Sequence, residues 1–176
     1  MEKFKKEESF GLIPTFKKGK ETLFLLILRN EGFWEFPKGH KKEGESGLET
    51  ARREFEEETG IKDYEVVNVS EVFEEKYFYE KNGERIEKTV KFFLAETDTQ
   101  DVKLQESEIK DAKWLNFKDA KELLTYKETK DLLERVNKEI IRKENFKIPK
   151  SFFIKLVFAI AFPLFLTILG LFLYFN

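Results

Sequence analysis

The sequence predicts an α+β fold, in which helices accompany a mixed or antiparallel sheet, followed by one C-terminal transmembrane helix. Short runs of alternating apolar residues, rich in β-branched and aromatic types, recur through the first hundred residues and are typical of strands. Two longer stretches repeat apolar residues at helical spacing, and the end of the chain is an uncharged apolar run. The 176 residues suffice for one ordinary domain and a short appendage.

The strand pattern occurs five times before residue 100. Asn82 and Gly83 form a dipeptide that is typical of a tight hairpin turn between two strands. Runs of this kind, joined by turns, build a mixed or antiparallel sheet. The expected strands are Phe10–Phe16, Thr22–Leu28, Val66–Phe73, Tyr77–Tyr79 and Thr89–Ala95.

A helix is expected at Gly47–Thr59, between the second and third strands. Ser46 is followed three residues later by Glu49, which is the pattern of an N-terminal capping box. Gly60 stands where a left-handed C-terminal cap is expected. Local signals therefore define both ends of this helix.

Two more helices and a linker follow the strands. A short helix is expected near Lys118–Leu124, and an amphipathic helix over Thr129–Arg142 is expected to pack on the sheet. Pro149 and several Lys predict a juxtamembrane linker after them. We expect a folded domain at 1–143, the linker at 144–155 and a transmembrane helix at 156–175.

The segment Leu156–Phe175 has the length and composition of a transmembrane helix. Its 20 residues carry no charge. As a helix it would extend about 30 Å, the thickness of the hydrocarbon core of a bilayer. The alternative, a buried core helix, usually keeps a polar stripe. Because Lys and Arg flank only its N-terminal side, the positive-inside rule predicts a C-terminally anchored, single-pass membrane protein with its folded domain in the cytoplasm.

The composition excludes several classes of function. The net charge is -2 with 38% charged residues of both signs, so no basic stripe for duplex nucleic acid is present. The chain has no Cys, which removes disulfides, thiolate catalysis and Cys-ligated zinc. Its single His excludes a site with several His ligands.

The expected helix at Gly47–Thr59 carries an unusual cluster of acids. Glu54, Glu57 and Glu58 are three and four residues apart, so their carboxylates project from one face. They repel one another, and the negative end of the helix dipole adds to the cost. A hard divalent cation would reverse both effects, with magnesium first and manganese second. The alternative is a solvated acidic face, and the spacing alone does not decide between them.

The chain resembles the Nudix family at these residues. The spacing G-x5-E-x7-R-E-U-x-E-E-x-G-U, where U is a bulky apolar residue, is the Nudix box. The resemblance implies a Nudix fold, a mixed sheet sandwiched between helices, and hydrolysis of a nucleoside diphosphate linked to another group. The nine matching positions are Gly39, Glu45, Arg53, Glu54, Phe55, Glu57, Glu58, Gly60 and Ile61.

Within the family the chain looks most like the asymmetric diadenosine tetraphosphate hydrolases. This resemblance rests on "WEFPKGH", "GESGLETARRE", "KTVKFFLAE", "KWL" and "YKETK", which span roughly Phe10 to Leu133. Other Nudix members, including bacterial RNA 5'-pyrophosphohydrolases, share parts of "FPKG". The resemblance implies magnesium-dependent hydrolysis of diadenosine tetraphosphate to ATP and AMP. The alternatives are an RNA 5'-end or nucleoside triphosphate pyrophosphohydrolase, and an idle nucleotide-sensing domain at the membrane.

The resemblance also implies roles in catalysis. Glu54, Glu57 and Glu58 would be the principal magnesium ligands, with the Gly39 carbonyl and Glu45 close to the metal. A water would attack phosphorus in line, and a carboxylate would take its proton. Arg53 would orient the catalytic carboxylates. The candidates for the proton acceptor are Glu54, Glu58 and Glu108.

Five further residues match substrate-binding positions of the tetraphosphate hydrolases. Lys38, His40 and Lys88 correspond to contacts with the phosphate chain. Tyr79 and Phe92 fall where that group stacks adenine, although the family often has Tyr at the second of these positions. The expected partner is thus a nucleotide.

Overall fold

The computed structural model describes residues 5–67 and 69–146. Eight strands and three helices lie in these ranges. The strands are β1 (Lys5–Lys18), β2 (Glu21–Arg29), β3 (Trp34–Glu35), β4 (Lys38–His40), β5 (Tyr64–Val66), β6 (Phe73–Lys81), β7 (Glu84–Thr97) and β8 (Ile109–Asn116). The helices are α1 (Gly47–Thr59), α2 (Phe117–Leu123) and α3 (Lys127–Phe146).

The sheet is mixed, as the sequence predicts. Its main path runs β3-β2-β1-β7-β5, with β4 paired to β1, β6 to β7 and β8 to β2. β1 and β7 run parallel, with Leu12 opposite Phe93, whereas β1 pairs antiparallel with β2 and β4. Because β1 is the central strand of the main path, β4, which pairs with it, and α1, which packs on it, lie beside the centre of the sheet, where the candidate site lies.

The apolar face of α1 packs on β1 and its neighbours. Ala51 and Phe55 are fully buried in a cluster with Phe10 and Leu12. Full burial of a side chain such as Phe55 contributes about 2 kcal/mol. A Cβ on Gly47 would lie 2.3 Å from the Phe10 ring, so the absence of a side chain lets the helix begin against the strand.

Several local predictions are confirmed. α1 has the predicted bounds, and its first turn carries the capping box, in which the Ser46 hydroxyl accepts from the Glu49 amide and the Glu49 carboxylate accepts from the Ser46 amide. Gly60 caps the helix with φ of 70°. Asn82 and Gly83 both have positive φ, 55° and 76°, as the hairpin turn between β6 and β7 requires.

The strands differ from the prediction in two ways: one predicted strand is wrong, and three observed strands were not predicted. The predicted strand Val66–Phe73 does not exist, because Val66 ends β5 and Phe73 begins β6. Val67 and Val72 are exposed, so the apolar residues of this segment do not all face the core. β3, β4 and β8 were not predicted, since β3 and β4 are too short to show alternation and the apolar residues of β8 do not alternate strictly with polar ones. α2 and α3 lie close to their predicted positions.

The chain divides into two compact units, residues 1–137 and 138–176. The described part of the first unit contains all eight strands, α1, α2 and the beginning of α3, where Leu132, Leu133 and Val136 are buried. The described part of the second unit continues α3 to Phe146. Residues 147–155 of the predicted linker lie outside the described ranges, so the linker and the domain end at residue 143 remain predictions.

The prediction of a transmembrane helix is corrected. In residues 5–67 and 69–146, no helix is both long and apolar enough to cross a bilayer. The longest, α3, places charged residues in every turn, as an amphipathic helix does. The predicted segment, Leu156–Phe175, is outside the described ranges. The described ranges therefore form an α+β domain, and the predicted membrane helix, membrane partner and membrane location find no support in them.

Candidate active site

Arg29, the last residue of β2, connects three carboxylates from different parts of the chain. Its Nε donates to Glu35 Oε1 at 2.7 Å, and its Nη1 donates to Glu108 Oε2 at 3.1 Å. Its Nη2 donates to the Lys38 carbonyl at 2.8 Å and to Glu58 Oε1. The planar guanidinium, with its fixed fork of donors, thus ties β2, β3, β4 and α1 together with the loop before β8.

Glu58 is enclosed by these contacts. Only 1% of its surface is exposed, and its second carboxylate oxygen accepts from the Lys38 amide at 3.1 Å. Burial raises the pKa of Glu58, and the neighbouring Arg29 guanidinium opposes that rise. This carboxyl is therefore hydrogen-bonded to Arg29 and to β4, with Glu54 as a nearby negative charge that also raises its pKa.

Arg53 donates hydrogen bonds to the other three acids of the site, Glu45, Glu54 and Glu57. Its Nε donates to Glu45 Oε1 at 2.7 Å, and its Nη1 donates to Glu54 Oε1 at 2.7 Å and to Glu57 Oε2 at 3.0 Å. Nη2 reaches the His40 carbonyl at 3.0 Å. The predicted repulsion along the acidic face is thus offset by two arginines, Arg53 and Arg29, which divide the carboxylates between them.

Gly39 on β4 lies directly against Glu54. A Cβ at Gly39 would be 2.0 Å from the Glu54 carboxyl carbon and 2.2 Å from its Oε2. No side chain fits in that space without moving the carboxylate. The contact brings the backbone of β4 to the acidic face of α1, and the proximity of the Gly39 carbonyl to a metal stays a prediction.

The fit of these residues to a divalent cation follows from their chemistry. In the described part of the chain, no group of three or more acidic or histidine side chains is so placed that these side chains alone could hold a metal ion. However, Glu54 and Glu57 accept from the same Arg53 nitrogen, so their oxygens flank a single positive group. The donors here, Glu45, Glu54, Glu57 and the Gly39 backbone, are all oxygens, the ligands that magnesium prefers.

A cavity of about 530 Å³ opens beside Glu54 and Gly39. Of the five predicted substrate-binding residues, four line it: Lys38, His40, Tyr79 and Lys88. Two of the three candidate proton acceptors, Glu54 and Glu108, also line it, whereas Glu58 does not.

Lys88, His40 and Tyr79 are joined through Glu7, a residue of β1. Lys88 Nζ lies 2.6 Å from His40 Nε2, and the Tyr79 hydroxyl donates to Glu7 Oε2 at 2.7 Å. The Tyr79 hydrogen bond is the main reason that the pKa of Glu7 falls to about 2, with Lys88 and His40 lowering it further against desolvation. Desolvation and the charge of Lys88 lower the pKa of His40, which favours its neutral form.

Phe92 is the exception among the predicted residues. Its side chain is 0% exposed, and its ring packs edge to face on Phe36 at a centroid distance of 5.9 Å. Phe92 does not line the cavity beside Glu54. A base cannot stack on a ring that the core encloses. The structure therefore corrects the prediction that Phe92 contacts substrate.

A second cavity, of about 450 Å³, adjoins the first and is largely aromatic. The Phe33 and Tyr126 rings lie 5.6 Å apart at its side, and Tyr126 is about half exposed. Five residues, among them Lys38, Tyr77 and Tyr79, line both cavities, so the two spaces adjoin along these side chains.

Sequence reasoning did not find Arg29, Glu35, Glu7 or Tyr77. The sequence does contain a signal that could have indicated two of these residues, Arg29 and Glu35. Arg29 follows the apolar run Thr22–Leu28, and Glu35 stands between Trp34 and Phe36. A charge that ends or interrupts an apolar run is often buried with a partner. Glu7 and Tyr77 carry no comparable signal, because strands place many such residues on exposed faces.

The chain is similar to proteins of known family. A family model described as NUDIX domain matches residues 5–136. The asymmetrical bis(5'-nucleosyl)-tetraphosphatase of Rattus norvegicus is 38% identical over 114 residues, which make up 63% of this chain and 76% of that relative. The Caenorhabditis elegans protein of the same name is 34% identical over 127 residues, covering 71% of this chain and 90% of that relative. The crystal structure of a C. elegans Ap4A hydrolase binary complex matches with a TM-score of 0.63 at 29% identity, covering 77% of this chain and 98% of that one.

Proposed function

Because the chain belongs to the NUDIX domain family and is a pyrophosphohydrolase, we propose that it hydrolyses dinucleoside polyphosphates, with diadenosine tetraphosphate yielding ATP and AMP. The observation that carries this proposal is the pair of adjoining cavities. One is polar and contains Lys38 and Lys88 beside the acids of α1, and the other is aromatic. A polyphosphate chain suits the first space and a nucleoside suits the second. Relatives that are named for the same reaction support this substrate class.

The basic side chains would hold the phosphate chain. Lys38 Nζ is 2.7 Å from Glu35 Oε1, which fixes its position at the junction of the cavities. Lys88 is 4% exposed, so its charge acts in a partly dehydrated space where electrostatic attraction to phosphate is strong. Neutral His40 would offer one ring N–H to a phosphate oxygen.

The acids of α1 would hold a divalent cation, magnesium or manganese. Glu54 and Glu57 are its proposed ligands, with Glu45, Glu58 and the Gly39 carbonyl in support. When bound, the cation supplies charge neutralisation at the phosphoryl oxygens and acidifies water. Arg53 is a positioning residue here, since it contacts the carboxylates and does not line the cavity.

The proton of the attacking water would pass to Glu54. Among the three candidates, Glu58 is enclosed by Arg29 and the Lys38 amide, and Glu108 is an exposed loop acid paired with Arg29. Glu54 lines the cavity and lies on the acidic face. As its oxygen accepts the proton, the water oxygen bonds to phosphorus and the anhydride P–O bond breaks. ATP and AMP leave as products.

The test is a substrate panel for the full chain with magnesium. Diadenosine tetraphosphate, GTP, ADP-ribose and a triphosphate-ended RNA are each incubated, and products are separated by chromatography. We expect the fastest turnover for the dinucleotide, with ATP and AMP in equal amounts. Faster release of pyrophosphate from the RNA or from GTP would contradict the proposed substrate.

Two variants identify the site. Glu54→Gln keeps the size of the side chain and removes a carboxylate that is proposed both as cation ligand and as proton acceptor, so we expect kcat to fall at least about 100-fold. Glu56→Gln is the matched control on the same helix, because Glu56 accepts a hydrogen bond from Tyr64 on the other side of α1. Equal kcat values for the two variants would contradict the proposed role of Glu54 in the reaction.

A further inference from the structure

Glu75 is a buried acid in the aromatic cavity that the proposed mechanism does not use. It is 6% exposed and lies on β6, where residues two apart face the same side of the sheet, so it shares a face with Tyr77 and Tyr79. Among the described residues, its Oε2 is buried and accepts no hydrogen bond. Such an orphaned acceptor is costly unless a ligand or water satisfies it.

The surroundings hold the Glu75 carboxyl in place. The Thr129 hydroxyl, itself 4% exposed, hydrogen-bonds to it. Lys38 is its positive neighbour, and Glu35 and Glu128 are negative neighbours. Burial raises the pKa of Glu75 to about 7, so the ionised carboxylate, whose oxygens only accept hydrogen bonds, is present at and above neutral pH.

The cavity around Glu75 suits a flat ring. Phe33, Tyr77 and Tyr126 line it together with Glu75 and Thr129. Its volume, about 450 Å³, exceeds that of a purine. Because Lys38 also lines the phosphate-side cavity, a nucleotide with its phosphates there would bring its base towards Glu75.

We propose that Glu75 determines base specificity by reading the amino edge of an adenine, with Oε2 accepting a hydrogen bond from the exocyclic amino group. The identity of the ligand rests on the proposed function. Adenine presents an exocyclic amino donor, from which an acceptor-only carboxylate oxygen can accept. Hypoxanthine differs from adenine by a carbonyl in place of the amino group, so it sets an oxygen against Oε2. A site that hydrogen-bonds one group discriminates strongly against an analogue that lacks it.

The experiment is a binding measurement that needs no turnover. The full chain is titrated calorimetrically with AMP, IMP and GMP. We expect AMP to bind about tenfold or more tightly than IMP, since one hydrogen bond to a buried acid is gained or lost. Glu75→Gln is expected to bring the two affinities within about threefold, because the amide can also donate to the carbonyl of hypoxanthine.

Glu74→Gln is the matched control. Glu74 neighbours Glu75 on β6, faces the other side, and pairs with Lys76 at 2.9 Å. This variant should keep the full preference for AMP. Equal binding of AMP and IMP by the unmodified chain overturns the proposal whatever the variants do, as does an unchanged preference in folded Glu75→Gln or tighter binding of GMP than AMP. A preference for AMP without hydrolysis of diadenosine tetraphosphate would reject the proposed function and leave the role of Glu75 intact.

Discussion

Arg29 shows how one side chain can set the geometry of several acids. Its guanidinium reaches Glu35, Glu58 and Glu108 at once and also holds the Lys38 carbonyl. A lysine would keep the charge but concentrates it in one compact group, which cannot span these acceptors. Glu58, with 1% of its surface exposed, would then be left poorly paired.

Arg29→Lys should therefore lower both stability and activity. The shorter ammonium leaves buried carboxylate oxygens without a hydrogen bond, which costs about 1–3 kcal/mol, and we expect a loss of that order in the free energy of unfolding measured with urea. Arg52→Lys, at an exposed position of α1, is the control and should unfold like the unmodified chain. Similar midpoints for both variants would show that the contacts of Arg29 contribute little.

Glu7 gives a prediction about pH. Its pKa in the folded protein is about 2, chiefly through the Tyr79 hydrogen bond, against an ordinary value of 4.5. A lowered folded-state pKa means that the ionised carboxylate stabilises the fold above pH 4.5 and that this contribution disappears as the pH falls towards 2. Glu7→Gln should thus cost about 1 kcal/mol at pH 6 and clearly less near pH 2.5, where the contribution is already being lost.

The measurement is urea unfolding of both proteins between pH 6 and pH 2.5. Glu21→Gln, which removes an exposed acid at the start of β2, is the control and should show no such convergence. A stability difference for Glu7→Gln that stays constant over this range would contradict the assignment.

At the scale of elements, the contact between β4 and α1 determines where Glu54 can lie. A methyl group at Gly39 would overlap the Glu54 carboxyl, with 2.0 Å to its carbon. Gly39→Ala should displace this carboxylate and lower kcat about 100-fold, since a misplacement of about 1 Å can cost that much. Gly32→Ala is a control for the loss of a glycine, because a Cβ there meets nothing within 4 Å although its φ of 93° is strained. It should reduce stability while leaving kcat near normal.

Elements whose ends are fixed by contacts between residues close in sequence could be predicted, and elements that depend on distant strands could not. α1 was predicted to the residue because Ser46, Glu49 and Gly60 fix its ends through contacts within a few residues. β8 was missed because it is stabilised by its pairing with β2 rather than by its own pattern. Phe92 was misplaced for a related reason, since which face of β7 meets the core depends on partners distant in the chain.

At the scale of the whole molecule, the site combines residues that only the fold brings together. The box motif indicated Glu54, Glu57, Glu58 and Arg53 from one helix. It could not indicate that Glu58 would hydrogen-bond to Arg29 of β2, whereas Glu54 and Glu57 hydrogen-bond to Arg53. Pairing between distant charges depends on the tertiary arrangement, and no local pattern in the sequence specifies it.

The divalent cation should therefore stabilise the entire fold. A ligand that binds only the native state raises the free energy of unfolding by RT ln(1 + [L]/Kd), about 2.7 kcal/mol at a hundredfold excess over Kd. Magnesium should raise the melting temperature of the full chain in a concentration-dependent manner, and a chelator should reverse the rise. Glu54→Gln combined with Glu57→Gln removes the two carboxylates that share Arg53 Nη1 and should abolish most of the effect. Glu56→Gln, which changes an acid of the same helix bonded to Tyr64, should retain it, and an undiminished rise in the double variant would place the cation elsewhere.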